Sequence, residues 1–138
     1  FTSHVIPGMI TKFNKAKKLK KKEVILLGSG KPLREFLYVE DFAEVIFLML
    51  NQKKTMIRKV SKNKFPMFNV GSGQNISIKK LAKLIKKKIN YKGKIYFDKS
   101  FPDGTMKKNL DSSKIKKFGW LPKIKLSKGL SEVIKTIY

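Results

Sequence analysis

Cysteine is absent from the 138 residues, so the chain has neither a disulfide framework nor a thiolate metal site. Histidine occurs once, as His4, and arginine only as Arg34 and Arg58. One histidine and no cysteine leave no Cys/His pair, no Ser/His/Asp order and no metal-spaced cluster, and no metal is expected. Long hydrophobic runs are also missing. The longest, Val45 to Leu50, falls far short of the ~20 apolar residues of a membrane span, and no signal-peptide pattern opens the chain. No membrane partner is expected, and the absence of cysteine is compatible with a reducing, cytoplasmic location. The first residue is Phe1 and not methionine, which sets the expectation of a fragment whose upstream part is missing.

Apolar residues make up 41% of the chain, which suits one folded domain with a modest core. Acidic residues number nine against 33 lysines and arginines, for a net charge of +24. Read alone, that charge suggests nucleic acid or an anionic membrane. The cations are nearly all lysine and are spread from end to end, whereas specific readers of bases and phosphates favour arginine forks. The charge therefore argues solubility and non-specific attraction. Any DNA binding is expected to be weak, sequence-blind and steeply salt-dependent.

The pattern of apolar residues predicts an α/β order of helix, strand, strand, helix, strand, helix, strand, helix, helix, without repeats or a dividing linker. The first helix is predicted from Pro7 to about Lys22, with Ile6, Ile10, Phe13 and the Lys17 stem on one face. Glu23 to Leu27 reads as a short buried strand closed by Gly28-Ser29-Gly30, and Arg34 to Val39 as a second strand. Asp41 to Leu50, apolar nearly all round, is predicted as a largely buried helix with an acid favoured near its start. Lys53 to Lys64 reads as a surface loop, Met67 to Val70 as a strand, and Gly71-Ser72-Gly73 as a turn. Ser77 is placed to cap a helix whose stripe is Ile78, Leu81, Ala82, Ile85 and Ile89. Lys94 to Asp98 is a strand, Pro102-Asp103-Gly104 a turn, and Ser112 to Phe118 a short helix stopped by Gly119. Ser127 to Tyr138 is a final amphipathic helix. Most aromatics fall on strand or helix core positions in this reading.

Two glycine pairs resemble nucleotide loops and fail the pattern. A P-loop needs glycine five residues before Gly30 and Ser or Thr after Lys31, but Ile25 and Pro32 stand there. A dinucleotide fingerprint starting at Gly71 needs a glycine where Ile76 stands. Both pairs read as tight turns after strands. Arg34 is one of two arginines and suggests a bidentate phosphate fork. The competing reading, favoured by spacing alone, is a surface ion pair with Glu35 or Glu40. His4, as a lone histidine, is ordinarily a surface or capping residue. Asp98 and Asp103 could pair as acids, but a strand end and a turn residue fit their spacing better.

The runs His4-Val5-Ile6-Pro7, Gly28 to Asp41 (GSGKPLREFLYVED), Phe68 to Gly73 (FNVGSG), Phe101 to Thr105 (FPDGT) and Leu110-Asp111 resemble the GDP-L-fucose synthase family, in order and at similar spacing over essentially the whole chain. The REFLYVED and FNVGSG runs are shared by many extended short-chain dehydrogenase/reductases, whereas the other runs together are more specific. The resemblance implies that residues 1–138 are the C-terminal, substrate-binding part of an α/β enzyme whose upstream Rossmann domain binds NADP. It implies epimerisation of GDP-4-keto-6-deoxy-mannose at two carbons followed by reduction of the 4-keto group, in a cytoplasmic homodimer. His4 matches the family's epimerisation acid, which also lies beside the cofactor. Arg34 and Lys108 match residues holding the GDP pyrophosphate, Lys12 a basic substrate contact, and Asp103 a loop approaching the substrate. Leu27 stands where some members carry a tryptophan near the nucleotide, while Phe101 and Met106 depart from the usual surroundings of PDGT. The serine, tyrosine and lysine of the catalytic set should lie upstream, so the chain alone is expected to be inactive. The alternatives are another nucleotide-sugar epimerase or dehydratase of the same superfamily and, from another class, a basic nucleic-acid-binding module.

Overall fold

The computed structural model describes residues 4–62 and 65–137; Asn63 and Lys64, at the end of the expected surface loop, and Tyr138, at the end of the last helix, lie outside them. The chain forms two compact units from discontinuous segments. The first takes the chain up to Arg34, then Ile76–Lys107, then Leu130 onward; the second takes Glu35–Asn75 and Lys108–Gly129. No linker separates them, because the chain passes between units four times.

In the first unit, α1 (Val5–Lys18) forms because Met9, Ile10, Phe13 and Ala16 recur at helical spacing and all are buried. It stops earlier than the predicted Lys22, since Lys20 turns left-handed (φ 49°) and the Lys21 N–H donates to Ala16 O at 2.9 Å, a Schellman-type stop. Strand β1 (Glu23–Leu27) pairs in parallel with β4 (Lys94–Asp98), Glu23 opposite Lys94 and Leu27 opposite Asp98. The expected buried strand is half-buried: Val24 and Leu26 point inward, whereas Ile25, Leu27 and Tyr96 are exposed. A parallel pair with one open face alternates instead of burying every residue.

Helix α4 (Ile78–Ile89) begins at Ser77, whose hydroxyl accepts from the Lys80 N–H at 3.2 Å. Leu81, Ala82, Ile85 and Ile89 are its buried stripe, as the periodicity predicts, while Ile78 is only partly buried. Phe13, Ile10, Leu81 and Ile85 are fully enclosed, and the Phe13 ring meets Tyr91 at 5.7 Å. Ser77→Ala is expected to cost about 1 kcal/mol through the lost cap. Thermal melts of Ser77→Ala and Ser77→Asp check this, since aspartate caps equally well and should match wild type.

The second unit is built round Val45, Ile115 and Trp120, against which Leu37, Phe68, Val70 and Phe118 pack. Its helices are α2 (Val39–Leu50), α3 (Lys54–Ser61) and α5 (Ser113–Lys116). Helix α2 is not largely buried: Val45 and Asp41 are, but Phe47 is 72% and Leu50 80% exposed. The predicted loop after it contains α3, which Met56, Ile57 and Val60 support at helical spacing, with Val60 buried. Met67 to Val70 forms no strand; Phe68 and Val70 pack on the core of the second unit. Several aromatics expected inside are exposed, among them Phe42, Phe47 and Tyr96.

Three short strands, β2 (Leu33–Glu35), β3 (Asn75–Ser77) and β5 (Lys107–Lys108), pair in the order β3-β2-β5, so the predicted strand over Arg34 to Val39 shrinks to its first residues. Helix α6 (Leu126–Ile137) ends the described chain. Among the described residues no helix is long and apolar enough to cross a membrane.

Candidate functional site

The first unit holds a cavity of about 480 Å³ whose walls include His4, Lys12, Leu27, Arg34 and Asp103. These are five of the six residues singled out as a substrate site. His4, Gly8 and Lys12 follow one another at four-residue intervals, which sets them in a row along α1. The central glycine leaves that wall recessed. His4 heads the helix without capping it through its side chain. Lys12 Nζ lies 3.4 Å from Ile25 O. Leu27, at the C-terminal end of β1, is exposed and forms part of the wall. Lys108 stands exposed on β5 and belongs to the second unit.

The opposite wall is two loops fastened together. Gly28 and Gly30 both have positive φ, 82° and 73°, and side chains are barred there as well: a Cβ would sit 2.6 Å from Asp103 Oδ1 at Gly28 and 2.6 Å from the Phe97 ring at Gly30. Asp103 accepts the Ser29 N–H at 2.8 Å and a short bond from the Ser29 hydroxyl. Beside it, Arg34 Nη1 donates to Leu33 O and Thr105 O, each at 2.7 Å. The ion pair that spacing favoured for Arg34 gives way to this arrangement. Glu35 accepts instead from the Gly73 N–H at 2.6 Å and the Leu110 N–H at 2.8 Å. Sequence reasoning missed Ser29; its place between two glycines that need left-handed backbone was the available signal.

The Ser29 hydroxyl and N–H, with Lys31 and Arg34 adding weaker attraction, hold the Asp103 carboxyl below its ordinary value. Asp98, bonded to Ser100 through both hydroxyl and N–H, is lowered in the same way, so the two acids do not share a proton. Asp111, at the start of α5, is lowered by Ser113. A carboxyl whose folded pKa lies below its unfolded value stabilises above the unfolded value and loses that contribution as pH falls through the folded one. The thermal midpoint is therefore expected to be flat from pH 7 to about 5 and to fall below about pH 4. Asp103→Asn should flatten part of that fall; a slope identical to wild type would show that Asp103 is not coupled to folding.

The model of the NAD dependent epimerase/dehydratase family matches residues 1–71, just over half of the chain. This chain belongs to the NAD-dependent epimerase/dehydratase family. It is 41% identical over 133 residues to a rice protein (Oryza sativa subsp. japonica) named probable GDP-L-fucose synthase 1, covering 96% of this chain and 38% of that one. It is 43% identical over 130 residues to putative GDP-L-fucose synthase 2 of Arabidopsis thaliana, covering 94% and 37%. Among solved structures it is similar to MlghC, a GDP-mannoheptose C4 reductase from Campylobacter jejuni with NADP bound, at a TM-score of 0.82 and 31% identity over 96% of this chain and 44% of that one. The chain thus spans less than half the length of these relatives. In this epimerase/dehydratase family member the cavity sets Lys12 and Arg34 against one carboxylate, Asp103, which the Ser29 hydroxyl and N–H already engage, a balance suited to an anionic ligand.

Proposed function

We propose that this chain is the GDP-sugar-binding part of a GDP-L-fucose synthase, which converts GDP-4-keto-6-deoxy-D-mannose to GDP-L-fucose by 3,5-epimerisation and NADPH-dependent 4-reduction. The observation that carries the reading is that His4, Lys12, Leu27, Arg34 and Asp103 share one cavity. With Nη1 held by two carbonyls, the Nε–Nη2 edge of Arg34 is left to grip a pyrophosphate in bidentate fashion. Lys12 adds a point charge to the same anion. Epimerisation passes through an enolate and needs a proton donor on the face opposite the base; His4, an imidazole on the cavity wall, is of the residue type suited to that role.

NADP supplies hydride for the reduction when it is bound. Of the residues present, His4, exposed on the cavity wall, fits a contact with the cofactor. The Gly28–Gly30 turn does not fit a dinucleotide pyrophosphate, because Asp103 and Phe97 fill the space over its glycines. Cofactor binding accordingly falls to the rest of the full-length enzyme, read here as a cytoplasmic homodimer with no specific nucleic-acid or membrane partner. Similarity to a GDP-mannoheptose reductase favours, as the second reading, a different sugar on the same nucleotide. Calorimetric titration with GDP, UDP and GDP-mannose tests the nucleotide first. GDP is expected to bind at least roughly tenfold more tightly than UDP, a difference of about 1.4 kcal/mol; equal affinity for both would sink the reading.

A further inference from the structure

We propose that the N-terminal edge of the β1–β4 sheet is a second anion site, one that takes a linear phosphate chain such as inorganic polyphosphate. Because β1 and β4 run parallel, the connections entering them from α1 and α4 meet at one edge. Those connections carry Lys17, Lys18, Lys20, Lys21 and Lys22 on one side, and Lys86, Lys87, Lys88, Lys92 and Lys94 on the other. The two helix ends are tied to each other and to the strands: Lys17 Nζ donates to Ile89 O at 2.8 Å, the Tyr91 hydroxyl to Lys21 O at 2.9 Å, and the Lys94 N–H to Lys22 O at 2.7 Å. A concavity of about 650 Å³ opens here, and five of its eight lining residues are Lys83, Lys86, Lys87, Lys92 and Lys94.

The ordinary account of lysines at helix C-termini is that they offset the helix dipole. The magnitudes do not support it as a full account. Two helix ends present about one negative charge between them, roughly half a charge each, and Glu23 adds one more. Ten lysines exceed that by about eight positive charges. Lys17 and Lys88 are engaged within the fold, on Ile89 O and Ser131 Oγ, whereas Lys83, Lys87, Lys92 and Lys94 are exposed round the concavity. Like charges three and four residues apart on α4 repel one another, so a bound polyanion relieves strain that the folded chain carries.

The chemistry favours a bare phosphate chain over nucleic acid. Ammonium groups act as compact point charges and match phosphate oxygens without demanding a planar fork. Binding of single-stranded nucleic acid draws on aromatic faces for its bases, and the one aromatic residue in the lining, Tyr91, has no face open for stacking. Tyr91 is buried with its ring against Phe13 and its hydroxyl on Lys21 O, and the exposed Tyr96 does not line the concavity. The nucleotide cavity lies at the other end of the strands, at Leu27, about 13 Å away for the four rises from Glu23 to Leu27. The two anion sites are therefore independent.

The test is calorimetric titration of the chain with sodium polyphosphate over a series of salt concentrations, repeated with saturating GDP and with a single-stranded oligonucleotide of matched charge. The triple substitution Lys87→Gln, Lys92→Gln, Lys94→Gln is compared with Lys53→Gln, Lys54→Gln, Lys59→Gln, which removes the same charge from α3 and its approach. We expect the first triple to weaken polyphosphate binding more than roughly tenfold and to lower the slope of log K against log salt by about 2, near 0.7 per lost contact. The α3 triple should leave both nearly unchanged, and the corresponding triple to arginine should retain binding. Equal losses in the two glutamine triples would mean diffuse attraction and overturn the site. So would displacement by GDP, which would put the chain in the nucleotide cavity, or equally tight binding of the oligonucleotide.

Discussion

Replacing Arg34 with lysine is expected, on the proposed reading, to lower GDP affinity roughly ten- to hundred-fold while keeping the charge, the equivalent of one lost charge-assisted hydrogen bond at about 1.5–3 kcal/mol. The geometry explains why charge is not enough. One guanidinium nitrogen is fixed by Leu33 O and Thr105 O, which on the proposed reading leaves the other edge of the fork for the ligand in the cavity that Arg34 lines. A lysine ammonium can reach a phosphate or a carbonyl, but it cannot hold the loop and present two parallel N–H groups together. Gly104 lies beside the same group, where a Cβ would make ordinary contact with Nη2 at 3.6 Å. Calorimetry on wild type, Arg34→Lys and Arg34→Gln separates the contributions. If lysine binds GDP like wild type and glutamine does not, the site reads charge alone and the fork assignment fails.

Asp41→Ala is expected to destabilise the protein by about 3–5 kcal/mol, a large share of the 5–15 kcal/mol that holds a typical domain together. The carboxylate is 2% exposed, and its two oxygens accept the Lys123 N–H at 3.1 Å and the Ile124 N–H at 3.0 Å. It also lies in the first turn of α2, where negative charge is favoured. Alanine removes both acceptors and strands two backbone donors in a buried position, the costlier way to lose a hydrogen bond. Asp41→Asn keeps one acceptor and should fall between the two. Denaturant melts at pH 7 measure this; a loss under about 1 kcal/mol would show that water replaces the carboxylate and that its burial is not maintained.

The sequence made most helices legible because their stripes repeat over several turns: the row from Leu81 to Ile89 on α4 could hardly be read otherwise. The Ser77 cap and the left-handed turns at Gly28, Gly30 and Gly73 were equally plain, since few residue types suit those positions. Short strands were not legible. Met67 to Val70 has the composition of a strand, but whether an extended segment finds a ladder partner depends on what lies beside it, which no local pattern records. Helix α3 was hidden by its lysines, which mask the spacing of Met56, Ile57 and Val60. At the site, Arg34 drew attention as one of two arginines. The Ser29–Asp103 contact, 74 residues apart in the chain, could not be foreseen from either neighbourhood. Exposure was the least predictable quantity. Phe47 and Leu50 are as apolar as Val45, and only their direction on α2 distinguishes them.

The four crossings between units make the closing helix necessary to one unit and not to the other. The second unit has all its segments by Gly129. The first does not, because Leu130, 2% exposed, belongs to it, so α1, β1 and α4 complete their unit only with the last helix. A stop codon after residue 129 should leave Trp120 in a native-like environment while Tyr91 and Phe13 lose theirs, an asymmetry that tryptophan fluorescence and near-ultraviolet dichroism can read separately.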